Sequence, residues 1–151
     1  MTPQQAAGTL IVGFGNEIRR DDGIGPCLVR VLTNRSLPGV STKTVHQLLP
    51  ELAAELAGFS RVIFVDADAN KDGAGFTVER VQSAELPYCF GHMTDVRQVL
   101  AYTQSFFGRS PEAWLVSVTG DDFGWGQGLS AAATANVEKA CESIVALIAR
   151  N

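Results

Sequence analysis

The chain has 151 residues, with 46% apolar and 19% charged residues and a formal net charge of −4. That length suits one domain with a real core, and the composition excludes a disordered chain. No basic stripe is present and no apolar run reaches the ~20 residues that span a bilayer, so nucleic acid and membrane are not expected partners. Met1 to Gly8 carries no positive residue and no long apolar run. It reads as a flexible tail rather than a secretory signal.

Thr9–Phe14 is a short apolar run ending near glycine, which predicts a buried strand. Gly15–Asp22 is a polar loop. Gly23–Leu32 predicts a helix, with Asp21 and Asp22 at its N-terminus and Pro26 tolerable only in the first turn. Ser41–Gln47 alternates and is β-branched, so a second strand is expected. A short helix follows over Glu51–Leu56. Arg61–Asp66 is a third and strongly apolar strand. Gly73–Gln82 alternates and reads as an antiparallel or edge strand. Thr94–Phe107 has helical spacing, Ala113–Thr119 is another strand, and Ala131–Ala149 is a long amphipathic helix. Strands alternating with helices predict an α/β fold. The expected architecture is one domain over 1–151, with a twisted, mostly parallel sheet and helices on both faces.

The three cysteines, Cys27, Cys89 and Cys141, are odd in number and far apart in sequence. Neither a disulfide framework nor a thiolate metal site is indicated. Cys27 and Cys141 lie in apolar helical patterns and read as buried structural thiols, and aromatic neighbours mark Cys89 as packed. This cysteine usage, together with the lack of a secretory signal, leads to an expected cytoplasmic location.

Ligands of open α/β sheets bind beyond the carboxyl ends of the strands. Three places there carry reactive groups. The loop from Gly13 to Gly25 is glycine-rich, but Ile18 stands where a dinucleotide fingerprint needs glycine, and acidic residues crowd the place of a phosphate. Asp22 in this loop reads either as a helix cap or as a functional carboxylate. Asp66 closes the most apolar strand and reads either as a turn former or as a site carboxylate. His92 reads either as a surface polar residue or as the imidazole of a site. Two carboxylates and one imidazole would suit a divalent metal or acid–base chemistry. There is no GxSxG nucleophile elbow.

The residues Gly13-Phe14-Gly15-Asn16, Asp21-Asp22-Gly23-Ile24-Gly25, His46-Gln47-Leu48-Leu49-Pro50-Glu51-Leu52, Val65-Asp66-Ala67-Asp68 and the isolated His92 form an ordered series. Ala113-Trp114-Leu115-Val116 and Gly126-Gln127-Gly128-Leu129-Ser130 continue it. The series resembles the maturation proteases of nickel–iron hydrogenases from residue 9 to the last helix. Its middle and late blocks are similar to the branch that serves soluble, cofactor-linked hydrogenases. The resemblance implies an endopeptidase that removes a short C-terminal peptide from the hydrogenase large-subunit precursor after nickel insertion. It implies that Asp22, Asp66 and His92 meet a nickel ion supplied by the precursor, with no organic cofactor. Gly15, Asn16, Asp21, His46 and Asp68, which belong to the same blocks, are expected to contact substrate. The competing readings are a precursor-binding chaperone without activity and a nucleotide-binding module.

Overall fold

The computed structural model describes residues 6–70, 73–83 and 95–150. Five strands form one sheet: β1 (Thr9–Phe14), β2 (Val40–Val45), β3 (Arg61–Asp68), β4 (Phe76–Val81) and β5 (Glu112–Thr119). Their order is β2-β1-β3-β5-β4, with every neighbour parallel except the antiparallel pair β4–β5. The helices are α1 (Ile24–Asn34), α2 (Leu52–Leu56), α3 (Val96–Phe107) and α4 (Ala131–Ala149). This is the α/β architecture that the alternation of patterns predicts, and the Gly73–Gln82 segment is both antiparallel and at the sheet edge.

The central strands are covered on both faces, which is why they are written as continuous apolar runs rather than alternating ones. Ile11, Ile63, Val65 and Val116 pack against Leu28 of α1 and Val137 and Ile144 of α4 on one face. Leu10, Val12, Val62 and Phe64 pack against Leu52 of α2 and Val99 and Leu100 of α3 on the other. β2 is an edge strand, so its polar sequence VSTKTV is only half covered.

Most boundaries differ by one to three residues from those expected, and three of the differences bear on the site. A 3-10 turn, Arg20–Gly23, precedes α1, because the chain must bend sharply between the sheet and the helix. β3 runs on to Asp68, since Asp66 to Asp68 pair with Ser117 to Thr119 of the equally long β5. β2 stops at Val45, so His46 lies just past the strand rather than in it. Of the expected tail, Ala7 donates to the Gly58 carbonyl, and the Gly8 carbonyl accepts from the Ser60 and Arg61 amides.

Two caps fix α3. The Asp95 carboxylate accepts from the Gln98 amide at 2.9 Å, and Gly108 in the left-handed region (φ 75°) ends the helix. Arg109 then donates to the Ala57 carbonyl beside the start of β3. α3 therefore runs antiparallel to the central strands and begins at the end where they finish. Among the described residues no helix is long and apolar enough to cross a membrane.

Candidate functional site

The carboxyl ends of β1, β2 and β3 frame a cleft of about 380 Å³, lined by Asn16, Asp22, His46 and Asp66 with Phe14 and Leu48 among its apolar walls. Glycines decide how Asp22 gets there. A Cβ on Gly25 would meet Phe14 backbone atoms and the Val65 carbonyl at 2.7 Å, so α1 presses directly on the sheet only because this residue is glycine. Gly15 has φ +149°, and a Cβ there would lie 2.0 Å from the Asp22 carbonyl oxygen. The loop can thus fold back tightly enough to bring Asp22 over the end of β1.

Asp22 is not a helix cap. The N-cap of α1 is Gly23, and no side chain caps that helix. The Asp22 Oδ2 instead accepts the Asn16 amide at 2.7 Å, and the Asn16 Oδ1 accepts the Ile18 amide at 3.1 Å. The loop is organised around this carboxylate, which is fixed at the cleft rather than released to solvent.

Asp66 is no turn former either. It is a strand residue whose Oδ1 accepts the Ala67 amide at 2.8 Å. Burial pushes its carboxyl up to about 6, and the neighbouring charges of Asp22 and Asp68 push in the same direction against the Ala67 hydrogen bond. The charges of Asp22 and Asp68 thus repel that of Asp66, a repulsion that a cation or a proton relieves. A group near pKa 6 can also take up and give back a proton close to neutral pH.

The remaining expected residues separate. Gly15, Asn16 and His46 border the cleft, and they also border a smaller depression of about 310 Å³ beside Ile18 and Pro26. Asp68 is exposed past the cleft, with its Oδ1 on the Asn70 amide at 3.1 Å. Asp21 does not line the cleft. It is fully buried, and it accepts from the Asp121 amide (2.7 Å), the Asp122 amide (2.9 Å), the Ser130 amide (2.7 Å) and the Ser130 hydroxyl (2.7 Å). Burial alone would raise its carboxyl, but these hydrogen bonds hold it below the ordinary range. Its work is to tie the first loop to the segment before α4. His92 and Cys89 lie outside the described residues.

The walls of the site were less legible than its carboxylates. Phe14, Gln47, Leu48 and Ala67 complete the lining; they belong to the blocks that carry the resemblance, but nothing in their own chemistry marks them as site residues. Cys141 is buried as expected, and burial pushes its thiol up to about 11; Cys27 is only half-buried, and burial raises its thiol too, so both favour the neutral form. Among the described residues no group of three or more His, Cys, Asp and Glu is placed to hold a metal by itself.

This is an open α/β sheet with an acidic cleft at the ends of its parallel strands. Solved structures with the same fold include a nickel–iron hydrogenase maturation protease, HycI, from Thermococcus kodakarensis, at 22% identity and a TM-score of 0.74, covering 96% of this chain and 94% of that one. The hydrogenase maturating endopeptidase HybD from Escherichia coli is 22% identical with a TM-score of 0.71, over 93% and 91% of the two chains. An endopeptidase from Escherichia coli solved in solution is 25% identical with a TM-score of 0.69, over 92% and 90%. No family model matches the chain, and no curated protein matches its sequence. The likeness spans almost the whole of each chain and establishes that the chain has the maturation-protease fold.

Proposed function

We propose that this chain is an endopeptidase that removes a short C-terminal extension from the nickel-loaded large-subunit precursor of a nickel–iron hydrogenase. The observation that carries the reading is the pairing of Asp22 and Asp66 at one cleft, in a chain with the fold of such proteases. The nickel belongs to the substrate. Carboxylate oxygens and an imidazole suit a divalent ion of this kind. Asp22 and Asp66 meet the ion from the first loop and from β3. His92, which precedes in sequence the helix that begins at this end of the sheet, is the third partner in this reading.

The division of labour follows from the electrostatics. Asp66 carries a carboxylate destabilised by burial and by its neighbours' charges, so an approaching cation relieves the repulsion and favours the ionised form. Binding is thereby coupled to the presence of the metal, which makes the loaded precursor the preferred substrate. Hydrolysis then requires a water to add to the scissile carbonyl, the C–N bond to break and the departing amine to gain a proton. Metal ions polarise carbonyls and acidify bound water in hydrolases generally. In the alternative in which the ion serves only as a checkpoint, a carboxylate with a pKa near 6 is suited to accept a proton from the attacking water.

The glycines of the first loop oppose the nucleotide alternative. Gly25 serves helix–sheet contact and Gly15 serves the Asp22 turn, and the cleft they create is acidic. The deciding experiment mixes purified protein with the C-terminally extended precursor, with and without nickel, and weighs the products by mass spectrometry. Loss of one short C-terminal peptide from the loaded form alone is the expected result. Absence of cleavage of a loaded cognate precursor would leave the chaperone reading, and cleavage regardless of nickel would remove the metal role of Asp22, Asp66 and His92.

A further inference from the structure

β2 is paired only on its β1 side among the described residues, and the hydrogen-bond parity shows which of its groups remain. The Gly39 and Val45 carbonyls accept from the Thr9 and Gly15 amides. In a parallel ladder the odd-numbered residues of β2 therefore turn their main chain towards β1, and the even-numbered ones turn theirs outwards. Thr42 and Thr44 thus present N–H and C=O groups away from the sheet. The only charged side chain of the strand, Lys43, is held by Glu55 at 2.8 Å and so does not project along the edge.

Depressions lie on both faces of this edge. On the α2 face a hollow of about 450 Å³ is lined by Val45, Leu49 and Leu52 and runs to His46. On the α1 face, a hollow of about 300 Å³ is bordered by Thr42 and Thr44, and one of about 310 Å³ is bordered by Thr44 and reaches His46. His46 borders the cleft of Asp22 and Asp66 as well. An unpaired strand edge with hollows on alternate faces is the surface that an added strand needs. Main-chain bonds supply affinity, and alternate side chains enter the hollows. Leu49 is 47% exposed at the mouth of the larger hollow, which suits an apolar side chain of the incoming segment.

We infer that the precursor's C-terminal tail binds as an extended strand on the outer edge of β2, paired with the main chain of Thr42 and Thr44. From there it is led past His46 to the Asp22 and Asp66 cleft. This rests on the proposed function and adds where the substrate peptide lies. An extended peptide is favoured over a helical or folded partner because the groups on offer are alternate main-chain donors and acceptors.

The test uses proline. Thr44→Pro deletes an outward N–H without touching the β1 ladder, and an edge strand tolerates proline at such a position. The expected result is a KM for the nickel-loaded precursor raised about tenfold, with kcat within about threefold and an unchanged thermal melt, since only binding shared by ground and transition states is lost. Hydrogen exchange on the wild-type protein gives a readout independent of that variant. With a saturating synthetic peptide spanning the precursor's cleavage site, the Thr42 and Thr44 amides should slow, while those of Ser41 and Lys43, already in the ladder, should not change. Wild-type KM in the variant and unchanged exchange at both threonines, in a protein that still processes the precursor, would overturn the edge-binding inference alone. Failure of the wild-type protein to process the loaded precursor would instead overturn the reading on which it rests.

Discussion

Asp66 shows at the level of one residue how a site works against the stability of its own fold. Its carboxyl lies near 6 rather than the ordinary 3.8, so the folded protein binds a proton there more readily than the unfolded chain does. The stability tied to this group is fully present below about pH 3.8 and is lost as pH rises through 6. At neutral pH the ionised group therefore costs the fold about 1–2 kcal/mol, after allowance for its partial exposure. Asp66→Asn keeps the oxygen that accepts the Ala67 amide and removes the charge. It should raise stability by that amount at pH 7.5, and the gain should shrink by pH 4.5. Urea melts at the two pH values measure this, and an equal difference at both would show that repulsion is not the cause. Asp22→Asn likewise preserves an acceptor for the Asn16 amide. It should melt within a few degrees of the parent protein yet lose processing by about a hundredfold or more, read by mass spectrometry of the loaded precursor. Retained processing would assign Asp22 to loop architecture alone.

The elements explain why a glycine-rich opening need not mean a phosphate. α1 lies so close to β1 and β3 that Gly13 and Gly25 face one another without side chains, and a Cβ on Gly13 would come within 2.3 Å of the Gly25 carbonyl oxygen. The helix then projects its apolar side, Leu28, Val29 and Leu32, into the core shared with α4. Gly25→Ala would press its methyl against three backbone atoms that cannot rotate away. The expected cost is about 3 kcal/mol, the upper end for overpacking, measured by equilibrium denaturation. A near-neutral result would show that α1 shifts freely on the sheet. The hydrophobic pattern reveals that such a helix exists, but it carries no information on the distance at which the helix packs.

At the scale of the whole molecule, one buried side chain joins distant parts of the chain. Asp21 lies about a hundred residues from the Asp121, Asp122 and Ser130 groups that it binds. The same two segments are also stitched by the Arg20 amide on the Gly126 carbonyl and by the Gly126 amide on the Ile18 carbonyl. The Arg19 guanidinium stacks 5.1 Å from the centre of the Trp125 ring. Asp21→Ala strips four donors of their acceptor in a buried place, and a destabilisation of about 3–5 kcal/mol is expected. Because the same loop carries Asp22, processing should fall together with stability, unlike the Asp22→Asn variant. Calorimetry and the cleavage assay on one preparation distinguish the two cases. An Asp21→Ala protein of parental stability would place the closure of this end of the molecule elsewhere.

The sequence alone determined the alternation of strands and helices, because burial on two faces demands continuous apolar runs and burial on one demands periodic ones. It also determined that Asp22 and Asp66 lie towards the carboxyl side of the first and third strands, since polar residues follow or close those apolar runs, although β3 continues two residues past Asp66 and Asp22 belongs to the turn before α1. The tertiary structure decided which acidic residue did which work. Asp21 and Asp22 are adjacent and chemically identical, yet one is saturated by donors about a hundred residues away and the other faces an open cleft. It also decided that His46 falls beyond its strand and beside that cleft, and that β2 is an edge. Those outcomes depend on which distant segments meet, and no local pattern of residues encodes a distance across the fold.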